Sequence, residues 1–149
     1  MDPASRVPIG VRLTSTARAV ERAFDAVLAD AGGSIPVWLV LLNLKLRRMA
    51  NQRELAEAIG VRASTLSIHL SQMELEGLVV RHRDPANRRT QLVELTANGE
   101  SAFARIRSAA AAFDSALRRG LSEDEVLQLE RILTLLGGNL TNVWRHATA

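Results

Sequence analysis

The sequence contains no cysteine among its 149 residues, and histidine is scarce. The missing cysteine excludes disulfide frameworks, thiol nucleophiles, thiol redox sensing and thiolate metal sites. His69, His82 and His146 lie far apart, without the short spacing that metal ligands need. We therefore expect neither a metal site nor a cofactor.

Long apolar runs are also absent, because no run approaches the roughly 18 residues that suggest a membrane span. The first residues lack the apolar core that follows the basic start of a signal peptide. Hydrophobic residues make up 47% and charged residues 23% of the chain, as in ordinary folded proteins. These features predict a folded, soluble, cytoplasmic protein with no membrane partner.

An excess of positive charge exists only in the middle of the chain. The net charge is +3, from 19 basic and 16 acidic residues. Residues 1–44 and residues 97–149 are each neutral, whereas residues 45–96 hold nine bases against six acids. Clustered positive charge is typical of nucleic-acid binding, although a surplus this small also arises by chance.

Apolar periodicity, capping residues and turn residues predict a mainly α-helical fold with one small β-hairpin. Helices are expected over 9–28, 35–46, 52–59, 63–76 and 97–119 and again after Ser122, and strands over 79–83 and 90–95. The third and fourth helices are joined at Gly60, which is the helix-turn-helix pattern. The hairpin follows this pair directly.

The first helix and the last two carry apolar stripes that need burial. In the last helix the stripe repeats at spacings of three and four residues, the heptad pattern of a coiled coil. These helices can pack on one another in a monomeric bundle or on a second copy of the chain. We favour the dimer, because two-fold dimers are the commonest oligomers. The predicted interface comprises Leu13, Val20, Phe24, Phe113, Leu129, Leu133, Leu136 and Leu140.

The fourth predicted helix has an unusual outer face. A solvent-exposed helix normally carries Glu and Lys, but this one presents hydroxyls, one amide and an isoleucine, which fit base edges in a major groove. An ordinary surface is the alternative. Leu75 also points outward, and the inner side is expected to hold Ala63, Leu66, Leu70 and Met73. The face, called the reading face below, comprises Ser64, Thr65, Ser67, Ile68, Ser71 and Gln72.

Arginines flank the hairpin turn, where Arg81, Arg83, Arg88 and Arg89 stand against Asp84 alone. A β-ribbon with arginines near its tip can reach a minor groove or nearby phosphates. A solvated turn, with Asp84 paired to Arg88 or Arg89 as a brace, is the alternative, and both can hold. Further phosphate contacts are predicted for Lys45, Arg47, Arg48, Asn51, Gln52, Arg53 and Arg62.

Short motifs follow one another in order along nearly the whole chain. They are SIPVW at 34–38, QRELA at 52–56, STLS at 64–67, ME at 73–74, EGLV at 76–79, DPANRR at 84–89, and Leu95-Thr96 with Gly99. The turn motif DPANRR is the most specific of them. Together they resemble the MarR family (multiple antibiotic resistance regulator) of transcription factors.

The resemblance implies a homodimeric winged helix-turn-helix protein that binds double-stranded DNA at a pseudo-palindromic operator and is associated with the nucleoid. The resemblance also implies that the chain is one MarR-type domain with three parts. These are an N-terminal dimerisation helix (1–33), a winged helix-turn-helix module (34–96) and C-terminal dimerisation helices (97–149). The hairpin is then the wing, where Arg88 or Arg89 corresponds to the arginine that enters the minor groove. Family members are mostly repressors, many of them released by a small anionic or aromatic compound, whose site in this chain is unassigned.

Two departures limit what the resemblance implies. Asn87 stands where the family often has Asp, which weakens an expected Asp–Arg brace in the wing. Ile68 and Gln72 stand where the family often has Arg or Lys, so an operator preference does not carry over. The alternative function is a winged-helix protein-interaction module that does not read DNA. An enzyme is not expected, because no catalytic triad, phosphate-binding glycine loop or carboxylate pair is visible.

Overall fold

Helices dominate the fold, and every helix end that the sequence predicts lies within two residues of the observed end. The computed structural model describes residues 6–47 and 49–147, apart from the side chains of 49–50 and 141–147. Its elements in chain order are α1 (Ile9–Asp30), α2 (Ile35–Arg47), β1 (Met49–Asn51), α3 (Gln52–Ile59), α4 (Ala63–Leu75), β2 (Val79–Arg83), β3 (Gln91–Leu95), α5 (Ala97–Leu117) and α6 (Glu123–Ala147).

The three strands form one antiparallel sheet in the order β1-β3-β2. Strands β2 and β3 pair from Val79↔Leu95 to Arg83↔Gln91, which confirms the predicted hairpin. Strand β1 is absent from the sequence prediction, and it pairs with the other edge of β3. Three residues show too little alternation to be recognised as a strand, so only the folded chain reveals β1.

Capping side chains begin α3 and α6 where the sequence predicts. Asn51 Oδ1 accepts a hydrogen bond from the Glu54 N–H at 2.8 Å. At α6 the capping box is reciprocal, because Ser122 Oγ accepts from the Glu125 N–H at 3.3 Å and Glu125 Oε2 accepts from the Ser122 N–H at 2.8 Å. These bonds satisfy donors that a helix N terminus otherwise leaves unpaired.

The core lies where α2, α3 and α4 meet the sheet and the first turns of α5. Its largest fully buried side chains are Leu28, Val40, Leu41, Leu44, Leu55, Leu66, Leu70, Met73, Val79, Val93 and Ile106. The predicted inner side of α4 is confirmed for Leu66, Leu70 and Met73 but is wrong for Ala63, which is exposed. Ala63 opens the helix, and the whole first turn of α4 extends past the packed residues.

By its internal contacts the chain divides into two units, one ending at Phe113 and one beginning at Asp114. In the first unit the Phe24 and Phe113 rings lie 5.0 Å apart, and the Trp38 and Phe103 rings stack at 5.8 Å. Aromatic contacts therefore join α5 to both α1 and α2. The predicted division after residues 33 and 96 separates the dimerisation helices from the winged helix-turn-helix module, and it stays a prediction.

In the part of the chain that the structure describes, no single helix is long and apolar enough to cross a membrane. Helices α1 and α2 meet those criteria of length and composition only as a pair, and that pair is bent by 75°.

Gly99, one of the family-motif residues, is held by close packing at the start of α5. A Cβ at this position would lie 2.0 Å from the Leu78 carbonyl oxygen and 3.2 Å from Leu95 Cδ2. We expect Gly99→Ala to lower the free energy of unfolding by about 3 kcal/mol, because backbone atoms have to move. Urea unfolding followed by circular dichroism measures this change.

Gly138→Ala in α6 is the matched control. Among the described residues, no heavy atom outside its own helix segment lies within 4 Å of the added Cβ, and alanine favours the helix by about 1 kcal/mol. We therefore expect Gly138→Ala to raise the free energy of unfolding. Similar values for the two variants would contradict the packing explanation for Gly99.

Candidate nucleic-acid interface

Helix α4 presents the reading face to solvent. Ser64, Thr65, Ser71 and Gln72 are exposed, Ile68 is 70% exposed and Ser67 is half-buried. Leu75 continues this face at the end of the helix and is 83% exposed. The structure thus brings the predicted residues together on one accessible surface, and their contacts with DNA stay a prediction.

Two polar side chains of the reading face already have partners within the protein. Gln72 Nε2 donates a hydrogen bond to Glu76 Oε1 at 2.8 Å, and Ser71 Oγ accepts one from Arg81 Nη2 at 3.1 Å. Sequence reasoning did not find either hydrogen bond. The Gln72–Glu76 hydrogen bond could have been predicted, since residues four apart on a helix lie side by side. The second joins α4 to a strand, which only the fold reveals.

Arg81 and Glu74 join the hairpin to α4. The Arg81 guanidinium donates to Glu74 Oε2 from Nη2 at 2.7 Å and from Nε at 3.1 Å, and the Arg81 backbone N–H donates to Glu74 Oε1 at 3.2 Å. The side-chain hydrogen bond from Arg81 is the main cause that lowers the pKa of Glu74. Arg81, grouped by sequence with arginines that can reach DNA, therefore orients β2 against the reading face.

This ion pair gives a pH-dependent prediction. We expect Glu74→Gln to lower the free energy of unfolding at neutral pH by about 1 kcal/mol and no more, since solvent screens a carboxylate that is 38% exposed. Because folding lowers the pKa of Glu74, the wild-type advantage is fully present above the ordinary value of 4.5. It is lost as the pH falls through the lowered pKa. Urea unfolding of both proteins at several pH values measures the difference.

Glu57→Gln is the control, because Glu57 pairs with Arg53 at 3.2 Å while their side chains are 67% and 88% exposed. Exposed pairs four residues apart contribute about 0.5 kcal/mol or less. Equal losses in the two variants, or a loss in Glu74→Gln that does not change with pH, would contradict the role given to the Arg81–Glu74 pair.

The hairpin turn is held mainly by bonds to its own backbone. Asp84 Oδ1 accepts from the Ala86 N–H at 2.8 Å, and Asn87 Oδ1 accepts from the Arg89 N–H at 3.2 Å. The alternative of an Asp84 ion pair with Arg88 or Arg89 is not realised among the described residues. Aspartate in a turn commonly bonds to the backbone two residues on, and Asp84 braces the turn in this way.

Three hairpin arginines remain available to a partner. Arg83, Arg88 and Arg89 are exposed, and in the described part of the chain their side chains form no hydrogen bond or ion pair. They lie on or next to strands whose position relative to α4 is fixed by Arg81. Positive charge is thus concentrated at the hairpin while the reading face itself carries none.

The residues predicted to touch phosphates differ in their surroundings. Arg47 and Arg62 are exposed and unpaired within the described residues, whereas Arg53 is exposed but paired with Glu57. Asn51 caps α3, and Gln52 is half-buried with an enclosed Oε1 that has no partner among the described groups.

Two other predicted phosphate contacts stand apart. Arg48 lies outside the described residues. Lys45 Nζ lies 2.6 Å from Glu100 Oε2, so its charge is paired between α2 and α5, and its contact with a phosphate stays a prediction. Between the start of α3 and the hairpin, an open cleft of about 720 Å³ is lined by Asn51, Gln52, Arg53 and Arg89 among others.

The predicted interface residues are only partly covered in one chain. Leu13 is 40%, Leu129 and Leu133 are 46% and Leu140 is 57% exposed, while Val20, Phe24, Phe113 and Leu136 are half-buried. The ring contact between Phe24 and Phe113 shows that these two also pack within the protomer. The exposed leucines of α6 leave an apolar surface without a described partner.

The family of the chain follows from its sequence and fold together. The MarR family profile matches residues 34–90. The solved structure of the transcriptional regulator PA3341 is 34% identical to this chain and has a TM-score of 0.77, over 91% of this chain and 99% of that one. The chain belongs to the MarR family.

Two further solved structures share the MarR-family fold. The transcriptional repressor CouR, bound to a 23-mer DNA duplex, is 27% identical with a TM-score of 0.81, over 87% of this chain and 92% of that one. A mutant of MarR from E. coli, complexed with operator DNA, is 22% identical with a TM-score of 0.80, over 87% and 94% of the two chains. The predicted winged helix-turn-helix fold is thereby confirmed, with α3 and α4 as the helix pair and the β2–β3 hairpin as the wing.

Proposed function

We propose that this MarR-family DNA-binding regulator acts as a homodimeric repressor on a pseudo-palindromic operator in double-stranded DNA. Each protomer places α4 in a major groove and its wing against the adjacent minor groove. The two copies of α4 then enter successive major grooves about 34 Å apart, one helical turn of DNA. The observation that carries the proposal is an exposed, uncharged reading face next to a wing whose three exposed arginines have no partner among the described residues.

The division of roles follows from charge. Arg83, Arg88 and Arg89 on the wing supply most of the contacts with the DNA backbone, helped by Arg47 and Arg62. The reading face contacts base edges, because short hydroxyls and apolar groups allow close approach to the floor of the groove. Arg81 and Asp84 hold the wing in place and do not touch DNA.

Dimerisation is supported by the apolar surface of α6. Leu129, Leu133 and Leu140 follow the heptad seam, and about half of each side chain is exposed in the single chain. Covering these leucines with a second copy removes them from water, which is the main favourable term in protein association. Val143, the last predicted residue of the seam, lies outside the described side chains.

Family membership favours DNA binding over the protein-interaction alternative, and CouR, one of its relatives, was solved on a DNA duplex. Enzymatic activity is not part of the proposal, because MarR-family regulators are generally non-enzymatic. The proposal includes the cytoplasm and the nucleoid as the location, since operator DNA is there. It also includes release of DNA by a small aromatic or anionic ligand, as the family resemblance implies.

Fluorescence anisotropy with a labelled random duplex tests the proposed DNA binding. We expect binding at low salt, and log K should fall by about 0.9 per unit of log salt concentration for each phosphate neutralised. Absence of binding at low salt, or binding that does not respond to salt, would favour the protein-interaction module instead.

A further inference from the structure

An apolar line runs along the centre of the reading face. Ile68 and Leu75 are 70% and 83% exposed, the largest values for apolar side chains on α4. They are seven residues apart, so at 100° per residue they point in nearly the same direction. Gln72 and Ser64 lie on either side of this line. The face therefore offers exposed methyl groups along its centre, with polar side chains on both sides.

The polar groups beside this line are partly engaged by the protein itself. Arg81 bonds to Ser71, and Glu76 accepts a hydrogen bond from the Gln72 amide. Both hydrogen bonds must break or rearrange before the full hydrogen-bonding capacity of these side chains reaches a base. Ile68 and Leu75 have no hydrogen bond to break before they contact a partner. Covering their exposed apolar surface with another apolar group is favourable because it removes that surface from water.

The charges around the line indicate which kind of partner covers it. Glu76 follows Leu75 and accepts a hydrogen bond from Gln72, so its carboxylate lies at one end of the line. Against it, Arg62 at the start of α4 and Arg83, Arg88 and Arg89 on the wing are exposed and unpaired among the described residues. The excess of positive charge favours a partner that carries negative charge. In the major groove of DNA, a polyanion, the apolar group is the C5 methyl of thymine. A protein partner would need apolar and acidic groups in the same arrangement, which duplex DNA provides without special design.

We propose that this regulator selects DNA through thymine methyl groups, which Ile68 and Leu75 contact in the major groove. The inference rests on the proposed function and adds the chemical feature that α4 reads. Seven residues of helix span about 10 Å, which equals about three base-pair steps. Each half-site should therefore contain thymines, on either strand, about three base pairs apart.

Replacement of thymine by deoxyuracil tests this, because it removes the C5 methyl and keeps the hydrogen-bonding edge of the base. A duplex is first selected from a random pool by the wild-type protein, and deoxyuracil is then placed in both half-sites. We expect about fourfold weaker binding for each thymine methyl that is removed. For four methyl groups, the ratio of the affinity for the thymine duplex to that for the deoxyuracil duplex is then on the order of 100. Deoxyuracil outside the half-sites should have no effect.

Variants assign the effect to the two side chains. In Ile68→Ala and in Leu75→Ala the ratio of thymine to deoxyuracil affinity should fall to about ten, and in the double variant to about one. Val80→Ala is the matched control, since Val80 is an apolar side chain of β2 that is 44% exposed. It should keep the wild-type ratio.

The outcomes separate methyl reading from DNA binding itself. If the wild-type protein binds duplex DNA in a salt-dependent way but does not distinguish thymine from deoxyuracil, methyl reading is wrong and DNA binding stands. Unchanged ratios in Ile68→Ala and Leu75→Ala would also overturn it. If no duplex binds at low salt, both proposals fail, and the apolar line is then a surface for a protein partner.

Discussion

Replacing Arg88 and Arg89 together by alanine is expected to weaken binding to duplex DNA on the order of 100-fold, whatever the sequence of the duplex. Both guanidinium groups are exposed at the tip of the wing, and neither is paired with Asp84. A hydrogen bond to a charged group contributes about 1.5–3 kcal/mol. The slope of log K against log salt should also become shallower, by about 0.9 for each phosphate that the variant no longer neutralises.

Arg107→Ala is the control for this experiment, because Arg107 is an exposed arginine of α5 outside the basic middle of the chain. It changes the net charge of the protein by one unit but leaves the wing intact. Anisotropy titrations at several salt concentrations compare the three proteins. An unchanged affinity and slope in the Arg88/Arg89 variant would rule out the wing as the part that grips the DNA backbone.

Leu133→Asp is expected to produce monomers and to abolish high-affinity operator binding. Leu133 lies in the middle of the α6 seam and is 46% exposed in the single chain. In a symmetric dimer the substitution buries two carboxylates in an apolar interface, which costs several kcal/mol. The dimer dissociation constant should rise on the order of 1,000-fold. Sedimentation should then show a species near 16.3 kDa in place of one twice that mass.

Gln128→Asp is the matched control, since Gln128 is exposed on the same helix but off the seam. It introduces the same side chain and should leave the oligomeric state unchanged. Circular dichroism checks that both variants remain helical. A wild-type protein that sediments as a monomer at micromolar concentration would reject the dimer, and a dimeric Leu133→Asp variant would place the interface elsewhere.

Much of the fold could be predicted because its signals are local. The Asn51 and Ser122 caps, Gly60 between the paired helices and the DPANRR turn act over a few residues, so the sequence around each one already shows the residues that it contacts. The apolar side of α4 was predictable at Leu66, Leu70 and Met73 from helical spacing alone. Ala63 was mispredicted because spacing gives a direction around the helix axis and does not show how far along the axis the core extends.

The candidate interface was predictable in its composition but not in its contacts. Sequence identified the reading face and the arginines of the wing, since unusual side chains on one face and clustered charge are visible without coordinates. It did not show that Arg81 binds Glu74 and Ser71, that Lys45 binds Glu100, or that Asp84 turns toward the backbone. Each arginine and lysine has the same charge in a sequence, and only neighbours in space decide which of them is already neutralised.

By itself the sequence determined the helices, the hairpin, the family resemblance and the position of the positive charge. Tertiary structure decided that β1 completes the sheet, that Gly99 must lack a side chain, and that the wing is fixed to α4 through Arg81 and Glu74. The physical reason is the separation along the chain between the residues that interact. Periodicity, caps and turns are properties of neighbouring residues, whereas strand pairing, close packing and ion pairs join residues that the chain brings together only when it folds.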